Sequence, residues 1–212
     1  MNYLEAIKYP KTFHFDFSAS LLNDDRRLES LKYLAGRQVV VTEKLDGENA
    51  TIYNDYYHPR SVIDDGHATR NWLKGFIPTF QYLIPENLRV CGENVYAKHS
   101  IFYGDLETFF YVFGIWSNEP NVCLSWDQTI ELCIEWGLKT VPVLYEGIFD
   151  YNEIREIYES MDYTKQEGIV CRVTDSFNYK DYQKYVAKAV RPAHVATDEH
   201  WKKTWTPNKL KK

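Results

Sequence analysis

Thr42-Glu43-Lys44-Leu45-Asp46-Gly47-Glu48-Asn49 sets a lysine between two stretches of strand-like sequence. Ahead of it, Gln38-Val39-Val40-Val41-Thr42-Glu43 carries three valines in succession, and β-branched residues favour extended backbone. Behind it, Asn49-Ala50-Thr51-Ile52-Tyr53 reads as a second strand. Asp46-Gly47 between the two is a hairpin signal, because a tight primed turn needs residues that accept positive φ. A lysine on such a rim has two readings. It is an exposed turn residue, or it is an amine whose pKa falls through desolvation or neighbouring cations, so that it attacks phosphorus and forms a phosphoramide. Lys-x-Asp-Gly alone does not decide, since three fixed residues recur by chance in roughly a few per cent of chains of this size.

Working outward, Asp24 is placed to cap a helix running to about Ala35, with Leu28, Leu31 and Leu34 at helical spacing and Gly36 as its stop. Residues 68–84 read as a helix with Trp72, Phe76 and Phe80 on one face, which Pro78 kinks or divides. Leu88–Val95 and Phe109–Trp116 read as strands. Ser125 caps a helix through Trp136 that Gly137 ends, and another helix runs from Asp150 or Tyr151 to Met161. Gly168–Val173 and Tyr185–Val190 read as late core strands. Strands and helices mix without βαβ alternation, so the expected fold is α+β with antiparallel sheets flanked by helices.

The 212 residues suffice for one domain with a real core. A net charge of −5 argues against a protein that coats nucleic acid by charge alone, but leaves room for a local basic track. Such a track is expected at Arg191–Lys212, where Arg191, Lys202, Lys203, Lys209, Lys211 and Lys212 face only Asp198 and Glu199. The four cysteines form no C-x-x-C pair and no zinc spacing, and read as buried thiols. No signal-like or membrane-spanning apolar run is present, so a cytoplasmic location is expected.

Further segments follow Lys44 in a fixed order. They are His58-Pro59-Arg60-Ser61, Val90-Cys91-Gly92-Glu93-Asn94-Val95-Tyr96, Phe109-Phe110-Tyr111-Val112-Phe113-Gly114-Ile115, Glu167-Gly168-Ile169-Val170-Cys171-Arg172 and Lys184-Tyr185-Val186-Ala187-Lys188-Ala189-Val190-Arg191. With the lysine segment they resemble, over residues 38–191, the ordered motifs of the superfamily of polynucleotide ligases and mRNA capping enzymes. Glu43 before the lysine and Asn49 after it look like the nick-sealing, phage-type RNA ligases. The lead Lys8-Tyr9-Pro10-Lys11-Thr12-Phe13-His14 is similar to the start of small members of that class.

The resemblance implies a nucleotidyltransferase domain, ATP-grasp-like, and a role for each position. Lys44 is the expected nucleophile. Glu43 is expected near the adenine edge, Glu93 as acceptor for the ribose hydroxyls, and Phe113 stacked on adenine. Arg60 is expected to engage phosphate as a fork, and Asn49 to position the nucleic-acid end or a phosphate. Glu167 and Asp46 are the expected metal-binding acids, holding Mg²⁺ or Mn²⁺ partly through water. Lys188 is expected to neutralise the α-phosphate. The family usually has a second lysine in the last motif, and here that role stays open between Lys184 and Arg191. Gly114 stands where the nick-sealing class often has an acid.

The same resemblance implies ATP-dependent RNA joining in RNA repair, by a phage or bacterial protein that is a monomer and has no membrane partner. Its expected steps are a lysyl-AMP, an adenylylated 5′ end, and attack by a 3′-hydroxyl. Residues 1–191 form the expected catalytic domain and 192–212 a short basic tail without an OB fold. That tail, with Lys8, Lys11, Arg26 and Arg27, supplies candidate contacts to the nucleic-acid backbone. The alternatives are a minimal DNA ligase, a GTP-dependent capping guanylyltransferase and a catalytically inactive relative that still binds nucleic acid.

Overall fold

Val39, Val40 and Val41 are completely buried, and the strand they form has covered faces on both sides. The computed structural model describes residues 6–19, 25–192 and 205–212. Its strands are β1 (Phe13–His14), β2 (Gln38–Lys44), β3 (Glu48–Ile52), β4 (Tyr57–Pro59), β5 (Leu88–Asn94), β6 (Phe110–Ser117), β7 (Val122–Cys123), β8 (Lys139–Thr140), β9 (Val143–Ile148), β10 (Gly168–Val173), β11 (Phe177–Asn178) and β12 (Val186–Val190). The helices are α1 (Asn71–Phe76), α2 (Trp126–Glu135), α3 (Tyr151–Glu159) and α4 (Tyr182–Tyr185). One sheet has the order β1-β12-β10-β2-β9, and the other β11-β7-β6-β5-β3-β4 with β8 beside β6. Apart from the parallel pairs β1–β12 and β6–β8, neighbours run antiparallel. The α+β expectation holds.

The expected hairpin does not form. β2 pairs with β9 and β10, whereas β3 pairs with β4 and β5. Leu45-Asp46-Gly47 therefore carries the chain from one sheet to the other. Gly47 is not among the positive-φ residues. Its glycine identity answers to crowding instead, because a Cβ there would lie 2.6 Å from the Asn94 carbonyl oxygen. The Asp-Gly signal is real as a change of direction and wrong as a turn type.

The helix expected up to Ala35 is also absent over the described residues, and Asp24 lies outside them. The backbone of residues 26–28 pairs instead with β1: His14 N–H donates to the Arg26 carbonyl at 2.8 Å and Leu28 N–H to the His14 carbonyl at 2.7 Å. Leu34 still reaches the core, from a turn. Long-range strand pairing has overridden a weak helical pattern.

Elsewhere local signals decide the outcome. α2 carries a capping box between Ser125 and Gln128, and Gly137 follows it with φ +69°. Asp150 caps α3 through the Asn152 and Glu153 amides. Pro78 divides the 68–84 segment into α1 and short 3-10 turns. Among the described residues, no helix is long and apolar enough to cross a membrane.

Residues 205–212 are not a loose solvated end. Asn208 is buried, donates from Nδ2 to the Val95 carbonyl at 2.8 Å, and accepts on Oδ1 from Tyr103 N–H at 2.9 Å. Lys202 and Lys203 of the expected basic track lie outside the described residues.

Candidate active site

The end of β2 and the start of β3 open onto a cavity of about 470 Å³. Lys44 lies in it, at the last position of β2 and opposite Gly168 of β10. That register sets the side chain of the preceding residue, Glu167, against the lysine: Lys44 Nζ donates to Glu167 Oε2 at 2.5 Å. Gly168 is required by the close approach of β12, since a Cβ would sit 2.0 Å from the Ala189 carbonyl oxygen. The Glu-Gly pair thus combines a reactive position with a packing constraint.

Burial works against a charge on Lys44, but Glu167, Glu93 and Asp46 outweigh it and hold its pKa above the ordinary lysine value. The lowered pKa envisaged from the sequence is not the resting state. Burial pushes Glu167 upward while Lys44 pulls it back. Glu93, on β5 directly opposite Asn49 of β3, is pushed up to about 8, chiefly by burial; Lys44 opposes the shift, and Glu167 and Asp46 add to it. The upward shift lets Glu93 take up a proton more readily than an ordinary glutamate and so donate as well as accept, rather than only accept.

The walls hold most of the other expected residues. Phe113 lines the cavity half-buried, with the Tyr9 ring edge-on at 5.0 Å. Arg60 follows β4, its backbone amide bonded to the Asn49 carbonyl and its side chain exposed at the rim. Asn49 has a buried Oδ1 without a hydrogen-bond partner among the described residues. Glu43 accepts from Gln166 Nε2 at 3.3 Å, and burial pushes its carboxyl upward. Lys188 enters from β12, where burial and then Lys44 hold its pKa below the ordinary value.

Three expected residues are placed otherwise. Asp46 does not line the cavity: its Oδ2 accepts from Ser100 N–H at 2.7 Å, Ser100 Oγ at 2.5 Å and Ile101 N–H at 2.9 Å, so it anchors that loop and acts on Lys44 by its charge. Arg191 donates from Nη2 to the same Ser100 Oγ at 2.9 Å, and its backbone amide holds the Glu167 carbonyl. Lys184 pairs with Asp181 at 2.6 Å outside the cavity. Lys11 lines the cavity together with Lys44 and Lys188.

Two features escape the sequence reading. Asp25 lines the cavity, with Oδ1 3.8 Å from Lys188 Nζ and 3.7 Å from Lys11 Nζ, and Oδ2 3.3 Å from His14 Nε2. No local pattern marks an aspartate that acts across so much chain. Glu48, also on the wall, is gripped by the buried Arg70 through Nε at 2.7 Å and Nη2 at 2.5 Å. Arg70 holds Asp64 and Asp65 as well, each at 2.7 Å. An arginine at the head of an apolar helical pattern offers no hint of that role.

Among the described residues, no three His, Cys, Asp or Glu side chains are grouped to hold a metal ion by themselves. Glu167, bonded to Lys44 at the cavity, nevertheless offers hard carboxylate oxygens, the kind that Mg²⁺ and Mn²⁺ share with water and phosphate.

Residues 37–190 match a family model described as RNA ligase. A search of curated proteins returns no match. Among solved structures, the chain resembles a Naegleria gruberi RNA ligase variant with ATP and Mn, at TM-score 0.54 and 21% identity, over 80% of this chain and 53% of that one. It resembles an archaeal ATP-dependent RNA ligase at TM-score 0.60 and 17% identity, over 86% and 48%. A candidate ATP-dependent DNA ligase from Aquifex aeolicus is similar at TM-score 0.58 and 18% identity, over 86% and 49%. These likenesses are of fold, and the chain spans about half the length of the structures it matches.

Proposed function

Because the chain belongs to the RNA ligase family, we propose that it joins a 3′-hydroxyl to a 5′-phosphate on RNA, using ATP and a covalent lysyl-AMP on Lys44. The observation that carries this reading is the placement of Lys44: a lysine in a cavity, bonded to Glu167, with Phe113 and Arg60 on the walls.

In the first step Lys44 Nζ attacks the α-phosphorus of ATP. The new N–P bond replaces the bond to the departing pyrophosphate, and Nζ must lose its proton. Glu167 Oε2 stands at hydrogen-bond distance to receive it. Phe113 offers an aromatic face to adenine, and Glu93 a carboxyl to the ribose. Lys188 and Arg60 bring positive charge toward the phosphates as charge builds in transfer. A divalent cation on the substrate phosphates, which Glu167 would hold through water, would neutralise charge and lower the pull of the acids on Lys44. In the second step the 5′-phosphate oxygen attacks the phosphorus on Nζ, and Lys44 leaves as an amine. In the third the 3′-hydroxyl attacks the adenylylated end and AMP departs. On this reading the residues of the cavity act by in-line positioning and charge neutralisation.

The test is incubation with α-labelled ATP and Mg²⁺ or Mn²⁺, followed by denaturing electrophoresis of the native protein and Lys44→Ala. Acid-labile label on the native chain alone is the expected result. Label from GTP but not ATP would point to capping chemistry, and no label from a folded, nucleotide-free preparation would overturn the proposal. A panel of RNA and DNA ends then separates the RNA-joining reading from the DNA one.

A further inference from the structure

A second groove, about 580 Å³, adjoins the cavity and shares Tyr9, Pro10, Lys11 and Arg60 with it. Lys8 and Lys180 stand on its walls, so four cations line it, and none of its other lining residues is acidic. In a chain of net charge −5 this is a local reversal of sign. The nearby Asp181 is engaged by Lys184 at 2.6 Å, and Asp25, beside Lys11, belongs to the cavity rather than the groove. The groove has a fixed frame. Tyr179 Oη donates to the Lys8 carbonyl at 2.7 Å, and Tyr179 N–H to the Asn121 carbonyl at 2.9 Å, so the lead and the 3-10 turn Tyr179–Asp181 are bound together.

Resting on the RNA ligase reading, we propose that this groove holds the phosphodiester backbone of the RNA strand flanking the reacting end. Arg60 stands at the shared rim, where a phosphate at the reaction centre and its neighbour along the strand would meet. Lys8 and Lys180 line the groove and not the cavity, so they carry the positive charge past the space that holds Lys44. Four cations with no acid among them match the repeated phosphates of a strand, so the main contact is electrostatic and independent of sequence, with Tyr9 and Tyr179 beside it. The lead Lys8–Lys11 thereby gains a physical role, since it forms one wall of both spaces.

The experiment compares the full chain with Lys8→Ala/Lys180→Ala, both residues being exposed and outside the catalytic cavity. The probe is a 5′-phosphorylated RNA oligonucleotide, bound over a range of salt concentrations, with labelling by α-labelled ATP measured alongside. Expected are unchanged ATP labelling, RNA binding roughly tenfold weaker at low salt, and a log K against log salt slope shallower by about 1.4, at about 0.7 per lost contact on a single strand. Lys8→Arg/Lys180→Arg should restore the slope. Unchanged RNA affinity and slope would overturn the groove while leaving the ligase reading intact. Slower labelling at limiting ATP with RNA binding intact would assign the lysines to the nucleotide's own phosphates and also overturn it. If the native protein takes no label, the ligase reading fails, and the salt slopes still decide the groove.

Discussion

His14 and Lys188 occupy paired positions on adjacent parallel strands, and one carboxylate, that of Asp25, lies against both. His14 Nδ1 bonds Ser18 Oγ at 2.8 Å, and the same Ser18 Oγ accepts from Val190 N–H at 3.0 Å. The aspartate is therefore fixed from the lead and aimed at a lysine of the cavity.

Asp25→Asn should slow self-adenylylation roughly tenfold, about 1.4 kcal/mol of barrier. Asp25 favours the charged form of Lys188, whose pKa is already low from burial and Lys44. Removing that charge lowers it further, so the alkaline limb of the rate profile should move to lower pH. Single-turnover labelling across pH reads both effects, and a loss of rate without the pH displacement would contradict the assignment.

Glu93→Gln should stabilise the protein above neutral pH. The folded carboxyl titrates at about 8, above its unfolded value near 4.3. Between those limits the folded state binds the extra proton, so native stability falls as pH rises. The slope from one such group is at most about 1.4 kcal/mol per pH unit. Denaturant melts at pH 5 and pH 8 should show the variant losing less stability over that interval than the native chain.

Gly47→Ala and Gly75→Ala should have opposite signs. A Cβ at Gly47 meets the Asn94 carbonyl at 2.6 Å, while one at Gly75, exposed in α1, meets nothing within 4 Å. The first should cost about 1–3 kcal/mol through overpacking, and the second should add about 0.5–1 kcal/mol through helix propensity. Denaturation midpoints for the two variants check this directly.

Asn208→Ala removes the side-chain bonds to Val95 and Tyr103 and leaves two buried backbone groups without them. The expected loss is about 2–4 kcal/mol. Hydrogen exchange should show faster exchange at the Tyr103 amide. Unchanged protection there would mean that the segment is held by its backbone pairing alone.

The strands and helices that were legible are those whose signals are local: the valines of β2, the capping box at Ser125, the aspartate cap at Asp150. Lys44, Glu93 and Glu167 were singled out because their segments resemble the family's ordered motifs, and each has a crowded glycine nearby, at Gly47, Gly92 and Gly168. Illegible were the relations between segments. β9 pairs with β2 but has little alternation, its residues being exposed or half-buried. Asp25 and Arg70 act through partners that no spacing rule connects to them. The Asp-Gly hairpin failed for the same reason: a turn signal states that the chain changes direction, and only the competition among distant strands states which partner it finds.

The crossing after Lys44 also bears on how the protein comes together. The lysine finds its partner glutamate 123 residues away in one sheet, and Asn49 finds Glu93 in the other. A chain that has assembled either sheet alone has half a cavity and no complete place for a nucleotide. Ligand affinity then belongs to the fully folded state alone, so a bound nucleotide should draw the folding equilibrium toward completion by mass action. Occupancy of the cavity becomes a quality signal, reporting that two long-range assembly events have both finished.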